Sequence, residues 1–512
     1  MTTGTISDMA GSSSLSHSRP SDSNSSHDTS VMEAEYLARA HRDLASLVPV
    51  MTPLAQAFND DDCDLYLVGG SVRDALLGRL SSDLDFTTNA RPHDIHRLLE
   101  STCDAVWDTG IDYGTVSGQR SGQDIEVTTF RADTYDGESR NPEVTFGESL
   151  DKDLTRRDFT VNAMAVEVRS DGSQVFHDPL HGLTDLVRGY LDTPDDPAIS
   201  FHDDPLRMLR ACRFVSQLGL RVAPRVREAM ERMAGDIQRI TAERIHAELD
   251  KLILGDHPTD GIELMVDTGL ADYIIPEIPA MRMTRDEHMQ HKDVYAHSLQ
   301  VLRQAIDREP DGPDLVLRWA ALLHDCGKPS TRAPKPGGGV TFYHHDVVGA
   351  KMARKRFRAL KYSKQFIKDV SGLIYLHQRF HGYTEKAWND SAVRRYVTDA
   401  GPLLPRLHRL VRADCTTRNK AKARRLQRLY DDLERRIEEI QHKEDLARIR
   451  PDLDGNDIMT ILDIEPGPMV GKAWKHMKDV RLDQGPLERE DAILELKKWW
   501  TEEQESEDNI HE

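Results

Sequence analysis

The spacing of hydrophobic and polar positions changes once along this chain of 512 residues. Between Asp64 and about Tyr190, short apolar runs at strand-like spacing predominate, namely "DLYLVGG", "DLDFTT", "TVSGQ", "DIEVTTFR", "NAMAVEV" and "SQVFHDP". From Asp203 onward, apolar residues recur at helical intervals between Pro and Gly breaks. The pattern therefore predicts an α+β protein in which a small mixed-sheet head precedes a long all-α body.

The N-terminal residues have a different composition. Residues 1–31 are rich in Ser, Thr, Asp and Asn and contain almost no large apolar side chain. Such a segment cannot bury enough surface to offset the entropy lost on ordering, so we expect a disordered tail. Residues 32–60 place apolar positions at helical spacing and predict an N-terminal helical segment.

Composition argues against several classes of protein. No uninterrupted apolar stretch approaches the roughly 20 residues that span a bilayer, and the N-terminus lacks the pattern of a secretory signal. The five cysteines are scattered without a C-x-x-C pair, which is typical of reduced thiols. We therefore expect a cytoplasmic protein with no membrane partner, and no protein partner can be inferred.

The formal net charge of -20 would by itself argue against a nucleic-acid partner. Two local stretches differ, because residues 351–368 ("KMARKRFRALKYSKQFIK") and 418–428 ("RNKAKARRLQR") contain many basic residues and no acidic one. Both stretches have helical spacing. They are compatible with a solvated basic face and equally with a surface that binds a polyanion.

A glycine pair ends the first predicted strand. Gly69 and Gly70 can turn tightly and bring backbone N–H groups close to a ligand. We expect Ser71 to cap a short helix that Gly78 terminates. The N-terminus of such a helix favours anions, so a triphosphate could bind there with Arg73 as a further donor. An ordinary strand-to-helix connection would have the same sequence.

Two carboxylates follow at a spacing of two residues. Side chains at i and i+2 of a strand share one face, so Asp83 and Asp85 converge, which is unfavourable unless a cation lies between them. A pair of Mg²⁺ ions held in this way can activate an attacking hydroxyl and stabilise a leaving pyrophosphate. We expect Glu126 to be the third carboxylate of the site, although an exposed strand Glu would also fit its pattern.

Three further motifs occur in order: "DLTRRDFTVNAMA", "DDPLRMLRACRF" and "ERIHAELDKLI", beginning at Asp153, Asp203 and Glu243. With the glycine turn and the aspartate pair, they resemble the class II bacterial tRNA nucleotidyltransferase / poly(A) polymerase family of the polymerase-β-type superfamily. The resemblance covers most of the chain after the tail. It implies addition of CCA to the 3′ end of tRNA from CTP and ATP, with Mg²⁺ in the head and release of pyrophosphate. A poly(A) polymerase, or an enzyme that adds only CC or only A, shares these motifs and remains an alternative.

The first of these motifs supplies polar groups for a nucleotide. Arg157 can contact phosphate oxygens, Asp158 can accept a hydrogen bond from a ribose hydroxyl, and Asn162 can add a polar contact. The family pattern favours nucleotide binding by these residues. A surface cluster of ion pairs is the alternative.

The second motif predicts how a base is selected. Asp204, Arg207, Arg210 and Arg213 follow one another at three-residue spacing, so on a helix they would share one face. Cytosine and adenine both present an exocyclic amino donor beside an acceptor nitrogen, and uracil and guanine present the reverse order. A carboxylate and a guanidinium would therefore select C and A, while three aligned arginines require an anion. The family usually has Glu where this chain has Asp203.

Four positions in the body resemble those of the HD phosphohydrolase superfamily: His297, His324, Asp325 and Asp414. Imidazole and carboxylate suit Zn, Mn, Ni, Fe or Mg without selecting among them, so the resemblance implies a second divalent metal, here a transition metal. His345 and His377 are candidate ligands of a further ion. Such a site could hydrolyse phosphate at a tRNA end, or it could be an inactive relic.

These resemblances also imply the domain organisation. We expect a disordered tail, an N-terminal helical segment, a nucleotidyltransferase head, a helical neck for nucleotide selection and RNA binding, an HD-type helical domain, and a C-terminal helical tail that binds tRNA. In that order, the predicted residues are 1–31, 32–60, 61–190, 191–285, 286–440 and 441–512.

Overall fold

The structure is a computed structural model that describes residues 23–80, 82–130, 149–282, 293–336, 339–380, 382–383, 388–415, 419–443 and 450–511. The chain divides into two compact units, Met1–Asp196 and Pro197–Glu512. The division falls within the predicted neck, residues 191–285. Among the described residues, none of the helices combines the length and apolar character needed to cross a bilayer.

The first unit is built on a mixed β-sheet. Its strands are β1 (Tyr66–Val68), β2 (Asp83–Thr88), β3 (Ala105–Trp107), β4 (Thr115–Arg120), β5 (Gln123–Thr129), β6 (Ala165–Val168), β7 (Gln174–His177) and the short β8 (Tyr190–Leu191). Within the described part of the unit, seven of them form one sheet in the order β3-β4-β5-β2-β1-β6-β7. The β2–β5 pair is parallel, and the other neighbours are antiparallel.

The mixed sheet confirms the predicted head, with one strand that the pattern did not predict. Each of the six predicted runs contains a strand of this sheet. Strand β3 was missed because it has only three residues and lies at the sheet edge, where it pairs with β4 through Ala105, Val106 and Trp107. Strand β1 is equally short but lies in the longer run "DLYLVGG", whereas an aspartate flanks β3 directly on each side.

The described residues of the first unit include six α-helices: α1 (Ser23–Ala45), α2 (Val48–Asp60), α3 (Gly70–Leu77), α4 (Pro92–Thr102), α5 (Leu150–Thr155) and α6 (Gly182–Arg188). Residues of β1 and β2 such as Leu67, Leu84 and Phe86 are almost fully buried, as are Leu54 and Phe58 of α2. These apolar residues form the core that fixes the strands carrying the polar motifs.

The predicted boundary of the N-terminal tail is wrong in one part. Helix α1 begins at Ser23, so residues 23–31 are helical and only residues 1–22 lie outside the described residues. Once the apolar positions after residue 31 nucleate a helix, each added residue costs little. Ser, Asn and Asp also suit the first turns of a helix.

The second unit is mainly helical, as predicted. Its helices are α7 (Pro197–Asp203), α8 (Leu206–Leu218), α9 (Pro224–Met233), α10 (Ala242–Ile253), α11 (Pro258–Asp267), α12 (Leu270–Ile274), α13 (Val294–Ile306), α14 (Leu315–Leu323), α15 (Lys328–Thr331), α16 (His345–Ala359), α17 (Lys364–Leu376), α18 (Asp390–Ala400), α19 (Leu404–Ala413), α20 (Lys420–Lys443), α21 (Gly455–Leu462), α22 (Pro468–Gln484) and α23 (Arg489–His511). Short strands are β9 (Arg221–Val222), β10 (Ala333–Pro334) and β11 (Val340–Thr341), and β10 pairs with β11. Buried Trp319, Leu322 and Leu373 belong to the core around α14 and α17.

Candidate active site

Four carboxylates lie on one face of two adjacent strands in the first unit. Asp83 and Asp85 alternate with buried Leu84 along β2. The parallel register places Glu126 of β5 opposite Asp85 and Asp124 opposite Asp83. Paired residues of neighbouring strands project to the same side, so Glu126 lies where the sequence placed the third carboxylate. The structure adds Asp124, which sequence reasoning missed and which accepts a hydrogen bond from Gln119 at 2.9 Å.

The central carboxylate of this group resists ionisation. Asp85 keeps solvent access on one side of the residue, but protein atoms surround much of its carboxyl group. This burial, with repulsion from Glu126 and then Asp83, raises the pKa of Asp85 to about 6, although Arg157 and Arg73 oppose the shift. Repulsion of this kind is relieved when a cation binds among the carboxylates.

Ser71 has a different role from the predicted helix cap. The N-cap of α3 is Gly69, and no side chain caps that helix. The Ser71 hydroxyl instead donates to the Asp83 carbonyl at 3.2 Å and accepts from the Asp85 N–H at 3.0 Å. Helix α3 is therefore tied to the backbone of the strand that carries both aspartates. Gly78 ends the helix in the left-handed conformation, as predicted.

The glycine turn leaves room for an arginine. Gly69 has φ of 68°, and a Cβ atom added there would lie 2.9 Å from Nη1 of Arg157. A side chain at this position would be strained by the backbone and would displace the guanidinium. Arg157 is held from the other side by Asp153, whose Oδ2 accepts from Nη2 at 3.1 Å. Asp153 was not among the predicted site residues, although its spacing of four from Arg157 on a helix would indicate an ion pair.

A second arginine is fixed by a chain of buried polar groups. Arg73 Nη1 donates to Asn162 Oδ1 at 2.5 Å, and Asn162 Nδ2 donates to Asp158 Oδ1 at 2.9 Å. Asp74 accepts two further hydrogen bonds from the same guanidinium, at 2.9 and 3.0 Å. Asp158 and Asn162 are both less than a tenth exposed. They lie where they can orient Arg73, which differs from the direct ribose contact expected for Asp158.

The predicted base-selecting pair does not share a helix. Helix α7 ends at Asp203 and α8 begins at Leu206, with Pro205 between them, so Asp204 lies in the turn. Proline disfavours helical backbone in the residue before it. Asp204 Oδ1 accepts from the Leu206 N–H at 3.1 Å, and its Oδ2 accepts from Arg244 at 2.8 Å. Arg207, on the first turn of α8, donates to Ser200 Oγ at 2.8 Å.

The remaining arginines of α8 have an internal anion. Arg213 and Arg210 lie 3.1 and 3.5 Å from the carboxylate of Glu248 on α10. Arg213 and Glu248 are 7% and 5% exposed, and the Arg213 guanidinium also stacks 4.2 Å from the Phe214 ring centre. The triphosphate and the tRNA end were the anions expected for the three arginines, but for Arg210 and Arg213 the structure provides Glu248 within the chain. Arg213 is too buried to reach a nucleotide, which corrects its predicted role.

Replacing Glu248 with Gln is expected to reduce the free energy of unfolding by about 3 kcal/mol, because it leaves the buried Arg213 charge without its carboxylate. Urea titration followed by circular dichroism measures the change. Glu243→Gln removes an exposed carboxylate from the same helix and is expected to change stability by less than about 0.5 kcal/mol. Equal stability of the two variants would contradict the structural role of this ion pair.

The second unit contains a cluster of six metal-ligand side chains. It divides into two groups, one of His297, His324 and Asp414 and one of Asp325, His345 and His377, each with ligand atoms within 4.8 Å of one another. Asp325 faces both groups. Its Oδ2 lies 3.2 Å from His324 Nε2 and 3.4 Å from His297 Nε2, and its Oδ1 lies 3.2 Å from His345 Nε2.

The histidines are oriented for metal binding by backbone carbonyls. The Nδ1 atoms of His324, His345 and His377 lie 2.8, 2.8 and 2.6 Å from the carbonyl oxygens of Ala321, Phe342 and Ile374. A carbonyl only accepts, so Nδ1 carries the proton and Nε2 keeps its lone pair for a metal. Asp325 Oδ1 and His345 Nε2 are buried without a hydrogen-bond partner in the described part of the chain. These atoms fit a divalent cation.

The protonation states of Asp325 and His377 also suit a metal, whereas at His324 burial is outweighed by the neighbouring Asp325 and Asp414, which raise the pKa. Burial alone would raise the pKa of Asp325, but His324, His345 and Lys328 hold it well below its usual range. Burial, and secondarily the charge of His324, lowers the pKa of His377 to about 3. An ionised carboxylate and a neutral imidazole are the forms that bind metals. The Lys328 ammonium, 2.5 Å from Asp325 Oδ2, supplies positive charge to the same carboxylate.

Three family models match successive parts of the chain. Residues 65–192 match the poly A polymerase head domain, residues 219–281 match a probable RNA and SrmB-binding site of polymerase A, and residues 294–419 match the HD domain. The first model covers the carboxylates and the glycine turn, and the third covers all six residues of the His–Asp cluster.

Curated relatives and a solved structure agree with these matches. The A-adding tRNA nucleotidyltransferase of Deinococcus radiodurans is 32% identical over 421 residues, which is 81% of this chain and 91% of that protein. The CCA-adding enzyme of Bacillus pumilus is 38% identical over 282 residues, but the match spans only 64% of its length. The crystal structure of the Bacillus stearothermophilus CCA-adding enzyme in complex with CTP superimposes with a TM-score of 0.62 at 25% identity, over 89% of this chain and 98% of that one.

The motif order, the geometry of the head, the HD domain and the near full-length relative lead to one assignment. The chain belongs to the tRNA nucleotidyltransferase / poly(A) polymerase family.

Proposed function

We propose that this chain adds CCA to the 3′ end of tRNA from CTP and ATP and releases pyrophosphate. The observation that carries the proposal is the placement of Asp83, Asp85 and Glu126 on one face of β2 and β5, beside the turn that opens α3. The names of the relatives support tRNA as the substrate, since they include A-adding and CCA-adding enzymes.

Membership of a nucleotidyltransferase family implies the use of a divalent metal. We assign Mg²⁺, held by Asp83 and Asp85 with Glu126 as the third carboxylate, because an all-oxygen donor set suits a hard cation. When bound there, such a cation would supply Lewis-acid activation of the primer hydroxyl and charge neutralisation at the leaving pyrophosphate. Ser71 contributes by holding the backbone of both aspartates, which fixes the angle at which their carboxylates converge.

The arginines around the turn bind the triphosphate in this proposal. Arg73 is held on one side by Asp74 and on the other by Asn162, so its guanidinium is positioned before the nucleotide arrives. Arg157 lies beside the Gly69 backbone. Guanidinium groups fixed in this way bind phosphate oxygens with little loss of side-chain entropy. The N–H groups at the start of α3, with Gly69 and Gly70, add donors for the same anion.

Base selection is assigned to Asp204 and Arg207, with Arg210 nearby on α8. In the turn before α8, Asp204 is held by Arg244, so a carboxylate oxygen is oriented to accept from the amino group of cytosine or adenine. Arg207 donates to the ring nitrogen acceptor. Glu248 keeps α8 in place through Arg213 rather than through contact with substrate.

Asp204→Ala is expected to lower discrimination of CTP against UTP by about 5- to 150-fold, because one good directional base contact contributes about 1–3 kcal/mol. Asp203→Ala, which changes the adjacent carboxylate at the end of α7, is the matched control and is expected to retain most of the selectivity. The ratio of kcat/KM for the two nucleotides measures the effect. Unchanged discrimination in Asp204→Ala would exclude Asp204 as a base-selecting residue.

The proposed activity is tested by offering each labelled nucleotide in turn to tRNAs that end before the first C, after the first C, or after CC, and by sequencing the products. We expect C, C and A to be added in order, with no addition of U or G. Addition of A alone to the CC-ended tRNA would identify an A-adding enzyme. A run of adenines would identify a poly(A) polymerase.

A second function is favoured by a separate observation, the six-residue cluster in the body. Asp325 lies between two groups of imidazole and carboxylate ligands, and its Oδ1 atom is buried without a hydrogen-bond partner among the described residues. We propose that this site binds a divalent transition metal and hydrolyses phosphate esters at tRNA ends. Phosphate-ester hydrolysis by this site should survive changes to Asp83, which lies in the other unit of the chain.

A further inference from the structure

A basic stripe runs along the outer face of α16, in the longer of the two acid-free basic stretches of the sequence. The stretch Lys351–Lys368 contains eight Lys and Arg and no acidic residue, in a chain with 87 acidic and 67 basic residues. On α16, exposed Lys351, Arg354, Lys355 and Arg358 are spaced at i, i+3, i+4 and i+7, which places them on one face. Lining up like charges on one helix face costs free energy, so the arrangement calls for a compensating anion.

The chain does not supply that anion. Among the described residues, no carboxylate lies within ion-pair distance of Lys351, Lys355 or Arg358, nor of Lys364 and Lys368 on α17. Other exposed cations behave differently. Arg395 lies 2.9 Å from Asp483, Arg435 lies 2.5 Å from Asp432, and Lys472 lies 3.0 Å from Glu503.

The stripe belongs to a helix pair that begins and ends at the His–Asp cluster. His345 is the first residue of α16, and His377 directly follows α17. Their ring centres are 5.4 Å apart, so the start of α16 and the end of α17 meet at the cluster. With a rise of 1.5 Å per residue, the stripe reaches about 20 Å along α16 from His345.

Exposed aromatic rings lie at the cluster end of the same helix pair. Tyr343, two residues before His345, is 74% exposed, and Tyr375, two residues before His377, is 40% exposed. A row of cations beside exposed aromatic rings is the combination that binds single-stranded nucleic acid, since phosphates pair with the cations and bases stack on the rings. A lipid surface would instead need an apolar face beside the basic one.

We propose that the outer faces of α16 and α17 bind the phosphate backbone of RNA and that Tyr343 and Tyr375 stack its unpaired bases beside the His–Asp cluster. The choice of RNA rests on the proposed function, in which tRNA is the substrate. The surface lies outside residues 219–281, which match the RNA-binding model. It therefore adds a second RNA contact in the body.

The test uses the full-length protein and fluorescently labelled tRNA that lacks CCA, with Kd measured between 50 and 300 mM KCl. The triple variant Lys351→Gln, Lys355→Gln, Arg358→Gln is expected to reduce the slope of log Kd against log salt by about 2 and to raise Kd about tenfold near 100 mM salt. The control Arg395→Gln, Arg435→Gln, Lys472→Gln removes three exposed cations that have carboxylate partners. Its Kd should stay within about twofold of wild type.

Two further variants separate RNA binding from a general effect of charge. Lys364→Gln with Lys368→Gln on α17 should lower the slope independently of the α16 variant. Tyr343→Ala with Tyr375→Ala should raise Kd about tenfold for an RNA with an unpaired 3′ end and leave the salt slope unchanged. The thermal unfolding midpoint of each variant confirms that it folds.

If wild type and the α16 variant had equal salt slopes, the proposed RNA-binding surface would be wrong. It would also be wrong if the α16 variant and its control lost equal affinity for tRNA. Either result leaves the proposed function intact, because nucleotide addition at saturating tRNA does not depend on the RNA affinity of the α16 and α17 surface. A wild-type protein that failed to bind tRNA would overturn both.

Discussion

Asp83→Ala is expected to lower the rate of nucleotide addition by a factor on the order of a thousand. The substitution removes a proposed metal ligand, and the metal's electrostatic stabilisation is stronger in the transition state than in the ground state. The variant leaves Asp85 and Glu126 in register but without the neighbour that shares the cation. Single-turnover incorporation of labelled CTP into tRNA lacking CCA measures the loss. The fold should persist, since Asp83 is exposed and its backbone, not its side chain, contacts Ser71.

The chain provides a matched control on the same face of the sheet. Asp124 lies opposite Asp83 in the register of β2 and β5, but its carboxylate accepts from Gln119. Asp124→Ala removes an equal charge from a neighbouring position and is expected to reduce the rate by less than about tenfold. Comparable rates for Asp83→Ala and wild type would refute the metal assignment. Equal losses of rate in Asp83→Ala and Asp124→Ala would mean that the loss reflects surface charge in general and not metal binding by Asp83.

Asp325→Asn is expected to remove bound metal from the body and to abolish phosphate-ester hydrolysis there, while nucleotide addition stays within about threefold of wild type. Among the described residues of the cluster, only Asp325 has two carboxylate oxygens that face different ligand groups. Its Oδ2 faces His324, and its Oδ1 faces His345. Changing a group that merely orients a ligand typically lowers metal affinity 10- to 100-fold, so loss of a shared ligand should cost at least as much. Elemental analysis of the purified protein and hydrolysis of a 2′,3′-cyclic phosphate measure the two effects.

Asp346→Asn is the control for this experiment, because Asp346 follows His345 directly but belongs to neither ligand group. It should keep metal and activity. A wild-type protein that carries no metal in the body after purification and reconstitution would contradict the second site, and so would an Asp325→Asn variant with full metal content.

The features of the head that could be predicted are those that depend only on residues within one strand or one helix. The spacing of Asp83 and Asp85 determines their common face in any strand, and the positive φ of Gly78 follows from the need to end a short helix. Placing Glu126 required the parallel pairing of β2 with β5, a contact between residues about 40 positions apart. The strand-like run around Glu126 made it the candidate for a third carboxylate, and the register of the two strands places it opposite Asp85.

Most of the wrong predictions concern side chains whose partners are determined by tertiary contacts. Ser71 has the right residue type for a helix cap, but the nearby β2 backbone offers its hydroxyl both an acceptor and a donor. The base-selecting residues were placed on one helix face by spacing alone, although Pro205 was a visible signal for a break. The partner of Arg213 could not be predicted from its own segment, because Glu248 lies 35 residues away on α10.

Anomalous scattering from crystals soaked with Mn²⁺ and a non-hydrolysable CTP analogue tests the central claim most directly. The account predicts a strong peak coordinated by Asp83, Asp85 and the triphosphate, with Arg73 or Arg157 on the phosphate oxygens. A crystal that bound the analogue with its triphosphate and metal away from β2 would contradict it.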